Sequence, residues 1–272
     1  MIVSKESDQM KVFSFGGGVQ SMAALVLSAQ KQLAYTDFVF ANVGEDSENP
    51  HTIEYLNEIA RPFALAHGIT IHEVRKNGLS LYQDITSENS NVSIPVKMGK
   101  VGIPAQRNCT TKWKVKVIER WMKANAGATK EHRATLGVGI SVDESYRMRT
   151  DDPEREPFVK KEYPLIDLML TRAMCQKAIQ DAGLPIPPKS SCWFCPYFRK
   201  QDWIHLRQNE PELFDRAIHL EHHLNAKRSA AGRDEVYLSP WLVPLEQAVD
   251  QPSINMFEDN ELDNCESGYC MT

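Results

Sequence analysis

Two groups of residues in this chain have the types and spacing to do chemistry. The first is Ser14-Phe15-Gly16-Gly17-Gly18-Val19-Gln20-Ser21, where a strand-like apolar run passes through three glycines into helix-forming residues. Glycines at such a junction let backbone N–H groups approach an anion, and the positive end of the following helix adds to the attraction. Phosphate binding is the chemistry this suits; a tight turn without a ligand is the alternative. A Walker loop fails because no lysine follows the glycines, and a dinucleotide fingerprint wants glycine where Ser21 stands. It also wants an acidic residue ending the second strand, where Ala41-Asn42 is found. The second group is Cys192-Trp193-Phe194-Cys195. Thiols at this spacing can bind one metal centre from a turn, and thioredoxin-like redox chemistry uses the same spacing.

Other chemistry-bearing residues read more plainly. Cys175 falls on an apolar helix stripe and is expected in the core, and His219, His222 and His223 lie in a helix whose HLEHH order is not the His-Glu-x-x-His zinc pattern. That helix is read as solvated or packing.

These groups need elements to hold them. Residues 11–15 read as a strand, and 19–32 as a helix with Met22, Leu25, Val26 and Ala29 at helical spacing. Strands follow at 38–41, 69–74 and 134–140, with a helix over 50–67 distorted at Pro62. The alternation predicts an α/β fold, a Rossmann-like, mostly parallel sheet with helices on both faces. Residues 87–111, rich in Ser, Asn, Gly and Pro, are expected to form a long loop near the ligand. A helix over 171–182 precedes the Pro-rich link 183–188, which sets the boundary. Residues 1–182 make a nucleotide-binding α/β domain, and 183–272 a smaller helical region with the CxxC pair and an acidic, cysteine-containing tail.

A chain of 272 residues can bury a core without disulfide staples, so its six cysteines read as thiols, metal ligands or redox centres. No basic leader followed by an apolar run begins the sequence, and no segment approaches the roughly eighteen apolar residues of a membrane span. The expectation is a cytoplasmic protein with no membrane partner. The net charge of −5 argues against a broad polyanion-binding surface, although Lys112, Lys114 and Lys116 could meet phosphates locally. Nucleic acid as a partner is left open but unsupported, and oligomeric state is not read.

The glycine segment resembles the Ser-x-Gly-Gly-x-Asp-Ser pyrophosphate (PP) loop of the N-type ATP pyrophosphatases, a superfamily that includes phosphoadenylylsulfate reductases and tRNA-thiolating enzymes. One residue is inserted, and Gln20 replaces the usual aspartate. The resemblance implies that Ser14, Phe15, Gly16, Gly17, Gly18, Gln20 and Ser21 surround the phosphates of an adenine nucleotide, ATP or an adenylylsulfate-type one. A carboxylate at position 20 could help hold Mg2+; glutamine offers only hydrogen bonds, which puts metal handling there in question.

Three further segments carry the same resemblance. Residues 42–52, with Asn42, Gly44 and Glu45, are similar to the Asp-Thr-Gly-x-Glu-x-Pro-x-Thr segment of the sulfonucleotide reductases. Residues 136–149 are similar to their Gly-Ile-x-x-Asp-Glu-x-x-Arg segment, which implies nucleotide contacts at Gly139, Asp143 and Glu144 and places Arg147 and Arg149 on phosphate or sulfate oxygens. A surface helix with Glu144 and Arg147 paired is the alternative there. Finally, Arg107-Asn108-Cys109-Thr110-Thr111-Lys112 resembles the segment bearing the first cluster cysteines of adenylylsulfate reductases, with Asn108 where a second cysteine is usual.

By that resemblance Cys109, Cys192 and Cys195 would hold a 4Fe-4S cluster, with Arg107 and Lys112 near the substrate's anionic group. Structural zinc and plain buried thiols remain alternatives. The ending Cys265-Glu266-Ser267-Gly268-Tyr269-Cys270 is similar to the reductases' cysteine tail, which implies sulfur handling by Cys265 or Cys270, with Arg147 as the catalytic cation. The implied function is an enzyme that adenylylates a substrate with pyrophosphate release and then transfers sulfur, its sulfur donor and acceptor unidentified. Reduction of a sulfonucleotide to sulfite is the alternative, and a non-catalytic nucleotide-binding module with structural zinc is the alternative of another class.

Overall fold

The computed structural model describes residues 11–88, 90, 94–99 and 102–250. Five strands, β1 (Lys11–Ser14), β2 (Asp37–Asn42), β3 (Thr70–Arg75), β4 (Ala134–Val138) and β5 (Val159–Glu162), form one parallel sheet in the order β3-β2-β1-β4-β5. The chain runs from β1 outward to β3, then crosses back to place β4 on the other side of β1. The strand order therefore reverses between β1 and β4, and in open α/β sheets the crevice beyond the strand ends at such a reversal is where ligands bind.

Side-chain alternation builds the two covered faces. Phe13, Phe38 and Phe40 point to one, Val12, Val39 and Ala41 to the other, and all six are buried. The aromatic face packs on α1 (Val19–Ala29), whose residues Val19–Ser28 are all buried. Met22, Leu25 and Val26 lie in that core with Cys175 and Ile179 of α5 (Arg172–Asp181). The aliphatic face packs on Val117, Ile118 and Met122. Full burial of one such side chain contributes about 1.5–3 kcal/mol.

The helix read over 50–67 is found over 50–66, labelled α2, with a wide π turn at Leu56–Ala60. Arg61 N–H donates five residues back to Leu56 O, immediately before Pro62, which has no N–H to give. Next comes α3 (Leu81–Thr86), opened by a capping box between Ser80 and Gln83.

Two expectations are corrected. Residues 87–111 are not one long loop: Lys97–Met98 pairs with Ile103–Pro104 and Val236–Tyr237 in a small antiparallel sheet, and a helix, α4, already begins at Asn108 and runs to Asn125. It too contains a π turn, Thr111–Val115. Strand β5, VKKE, was not anticipated, because an edge strand with two lysines lacks the apolar signal of a central one.

A third core gathers Trp113, Trp193, Phe194, Trp203 and Leu220, joining α4 to α6 (Lys200–Asn209) and α7 (Pro211–Ala230). Buried Glu221 on α7 accepts from Leu238 N–H and Leu245 N–H, fixing the returning chain. The link 183–188 is laid on the first core by Leu184 and Ile186, and Tyr55 donates to Pro185 O. Among the described residues no helix is long and apolar enough to cross a membrane.

Candidate functional site

Ser14 ends β1, and the three glycines carry the chain into α1. Phe15 belongs to the core: its ring packs against Phe38 and its N–H donates to Val39 O, so neither is presented to a ligand. Gly17 has φ +81°, and a Cβ there would stand 2.8 Å from Thr52 Cγ2, so glycine is required both by conformation and by space. Gly18 caps α1 without a side-chain hydrogen bond, and no acidic residue occupies the first turn. The helix's positive end is thus not neutralised by a side chain of its own first turn.

The loop's walls are hydroxylic. Ser21 Oγ donates to Gly18 O at 3.0 Å, and Ser190 Oγ donates to Gly16 O. Ser14 Oγ, Thr52 Oγ1 and Ser191 Oγ are buried with no hydrogen-bond partner among the described residues. Such orphaned groups cost about 1–3 kcal/mol each, and an oxyanion would satisfy them.

On the β4 side, Gly139 lies against the loop: a Cβ there would be 3.3 Å from Ser21 N. Beyond it Ser141 faces Gln20, whose Nε2 donates to Ser141 Oγ at 3.5 Å. Gln20 is fully buried, and its Oε1 accepts from Arg172 Nη1 at 3.3 Å. Asp143 and Glu144 lie in the 3-10 turn Val142–Arg147. Asp143 Oδ2 accepts from Arg172 N–H at the start of α5, while Glu144 is buried and paired with Arg147 at 2.6 Å. The Glu144–Arg147 pair of the alternative reading is therefore present, but as an enclosed pair rather than on an exposed helix. Arg149 is half-buried, its N–H donating to Tyr163 Oη.

The segment after β2 divides. Asn42 and Glu45 are drawn into an ion-pair network with Glu73, Arg75 and Arg61 at the β3 edge. Burial pushes the Glu73 carboxyl up, but hydrogen bonds from Arg75 and Asn42 outweigh it and hold it below its ordinary value. Gly44 has φ +123°, and a Cβ would stand 2.5 Å from Ser80 Cβ, so its task is a tight turn. Glu48, buried and 3.9 Å from Lys114 Nζ, is turned toward Cys192, and Thr52 lies beside Gly17 of the loop.

Cys109, in the first turn of α4, lines one cavity with Cys192 and Cys195. Arg107, Lys114, Ser191, Phe194 and Tyr197 complete much of its wall, and the Arg107 guanidinium sits 4.4 Å from the Tyr197 ring centre. Burial pushes the Cys192 thiol well up; Glu48, Cys195 and Cys109 add to this and Lys114 opposes it. Cys175 is sealed in the core, as its helix stripe implies, its thiol pushed up to about 12 by burial. His219 and His222 are exposed on α7.

Among the described residues no three His, Cys, Asp or Glu side chains are gathered as a group that could hold a metal ion. A tetrahedral zinc needs its donors about 2.0–2.3 Å from one point, whereas a cluster spreads its thiolates over separate irons around a larger body. Lys112 does not line the cysteine cavity, and Cys265 and Cys270 lie outside the described residues.

Residues 190–195 connect the two places. Ser190 holds Gly16 O, Ser191 O accepts from Asn49 N–H, Cys192 pairs with Glu48 in a β-bridge, and Trp193 Nε1 donates to Asp46 O. Sequence reasoning missed Glu48, Thr52, Ser141, Arg172, Ser190 and Ser191. Glu48 and Thr52 occupy the Glu and Thr places of the Glu-x-Pro-x-Thr pattern within residues 42–52, and the Ser190-Ser191 pair stands just ahead of Cys192; Ser141 and Arg172 left no such signal. The sequence matches no known family description, and no curated protein is similar enough to be paired with it.

Proposed function

We propose that the chain is an adenine-nucleotide enzyme of the pyrophosphate-loop type that activates a substrate oxygen by adenylylation and completes a sulfur transfer beside Cys109, Cys192 and Cys195. The observation that carries this reading is the segment 190–195, which touches the glycine loop through Ser190 and puts Cys192 and Cys195 into the cysteine cavity. Activation and sulfur delivery must occur on one bound substrate, and this segment runs from the glycine loop at Ser190 to the cavity wall at Ser191, Cys192, Phe194 and Cys195.

The loop N–H groups and the hydroxyls of Ser14, Thr52 and Ser191 would bind the phosphates and stabilise charge developing on the leaving pyrophosphate. Attack of the substrate oxygen on the α-phosphorus breaks its bond to the β-phosphate bridge. A hydrosulfide sulfur then attacks the activated carbon and expels AMP. Cys109, Cys192 and Cys195 would be the residues that hold an iron-sulfur cluster, whose chemistry there would be to bind and supply the sulfur. Lys114 and Arg107 would neutralise the anionic sulfur species entering the cavity. Magnesium would accompany the nucleotide's own phosphates.

The cavity's two cations also favour a second reading, in which the sulfate of an adenylylsulfate-type nucleotide enters there and is reduced to sulfite.

Anaerobically purified protein given ATP labelled in the γ-phosphate tests the first reading. Labelled pyrophosphate is the expected product, and an iron and sulfide assay is expected to find both. Sulfite from adenylylsulfate and a thiol reductant, with no pyrophosphate from ATP, selects the second. Absence of any nucleotide binding sinks both.

A further inference from the structure

Position 20 is where a pyrophosphate loop carries its magnesium-facing aspartate, and here it does not fit the ion. Glutamine has no charge to offer, and its one acceptor, Oε1, already receives a hydrogen bond from the Arg172 guanidinium at 3.3 Å. A cation is thus fixed one hydrogen bond from the second residue of α1, and a divalent ion at the same spot would be repelled by it.

The anchoring of Arg172 is elaborate for a simple tie between helices. Its backbone N–H is taken by Asp143, Thr171 caps α5 through Met174 N–H, and Gln20 is oriented from its other end by Ser141. Gly139 lets this whole side approach the loop backbone, since any Cβ would press on Ser21 N. The result is a guanidinium held one hydrogen bond from the second residue of α1, at a helix end whose first turn has no acidic residue and whose preceding loop begins at Ser14, its buried hydroxyl without a partner.

Resting on the nucleotide reading above, we infer that Arg172, oriented by Gln20, is a phosphate-binding residue of the loop and takes the place of a protein-held magnesium ion there. Its planar fork suits two phosphate oxygens at once, which lysine cannot match.

Isothermal titration with a non-hydrolysable ATP analogue, AMP and adenosine tests this, each with excess Mg2+ and with EDTA, on wild type, Arg172→Gln, Arg172→Lys and Gln20→Asp. Wild type is expected to hold the analogue within about threefold in EDTA. Arg172→Gln is expected to lose ~10–100-fold for the analogue, less for AMP and nothing for adenosine, with Arg172→Lys only partly restoring it. Gln20→Asp places a carboxylate on Arg172 and is expected to weaken the analogue in EDTA; Mg2+ rescues Gln20→Asp/Arg172→Gln but not Gln20→Asp alone. Equal losses for all three ligands in Arg172→Gln would mean that the arginine only braces α5, and the inference fails while the nucleotide reading stands. A tenfold or greater loss of wild-type binding in EDTA overturns the replacement of the metal. No wild-type binding of any of the three ligands removes the nucleotide reading and this inference with it.

Discussion

At the scale of single residues, Thr52 separates stability from binding. Its hydroxyl is buried without a partner, so Thr52→Val removes an unmet acceptor and donor while keeping the shape. Chemical denaturation is expected to show unchanged or higher stability, by up to about 1 kcal/mol, while affinity for an ATP analogue falls several-fold. A parallel drop in both would mean that Thr52 supports the fold alone. Gly17→Ala acts the other way. The positive φ costs about 1–2 kcal/mol for a side chain, and the Cβ collides with Thr52 Cγ2. Adding Thr52→Ser deletes that methyl and is expected to recover part of the lost stability, leaving the conformational share. At Cys175, a thiol pushed up to about 12 by burial is almost wholly protonated at pH 8, so alkylation of the native protein followed by mass spectrometry is expected to leave it unlabelled.

At the scale of elements, the π turns do the positioning. The turn at Thr111–Val115 accommodates one extra residue within α4, rotating Cys109 relative to the part of the helix packed under the sheet. Deleting Thr111 should restore a regular helix and swing the preceding turn by about 100°. Circular dichroism should show helix retained, while thiol-dependent iron or zinc uptake by the Cys109 cavity falls. A further element-level contact is His51, which joins α2 to the α6–α7 turn through Glu210 at 2.7 Å and also meets Glu54. The Glu54 hydrogen bond leads in raising its pKa, burial opposes, and Glu210 adds to the rise. A raised histidine pKa contributes stability that is fully present below the unfolded value near 6.5 and is lost as pH rises through the folded pKa. The ring is half exposed, so the effect is a few tenths of a kcal/mol. A pH series of denaturation midpoints should show wild type lose its small advantage over His51→Gln across that window.

Much of this level was legible from local pattern. The strands β1 to β4, α1 and the distortion of α2 each leave a signal within a dozen residues, as apolar period or as a proline. Strand β5 left none, because its inward Lys161 is buried as a charged residue paired with Glu156, against the pattern of an apolar strand. The glycine loop and the CxxC pair were readable as motifs. Their junction was not, since Ser190 and Gly16 are 174 residues apart and nothing in either segment announces the other.

At the scale of the whole molecule, that junction makes the two places one assembly. An ATP analogue seated on the glycine loop should change the accessibility of Cys192 and Cys195 along the segment 190–195, while Cys109, on α4, is affected less. Differential alkylation with and without the analogue measures this, and unchanged labelling of all three cysteines would show that the places work independently. The same arrangement bears on synthesis. Gly16 is made early and acquires the hydroxyl that holds its carbonyl only when residue 190 has been made. Contacts of such long separation close late in folding. Chains terminated before that point carry the full sheet yet leave Gly16 O without its hydroxyl donor, so on the proposed function an ATP analogue should raise the protease resistance of chains that extend past residue 190 and not of shorter ones.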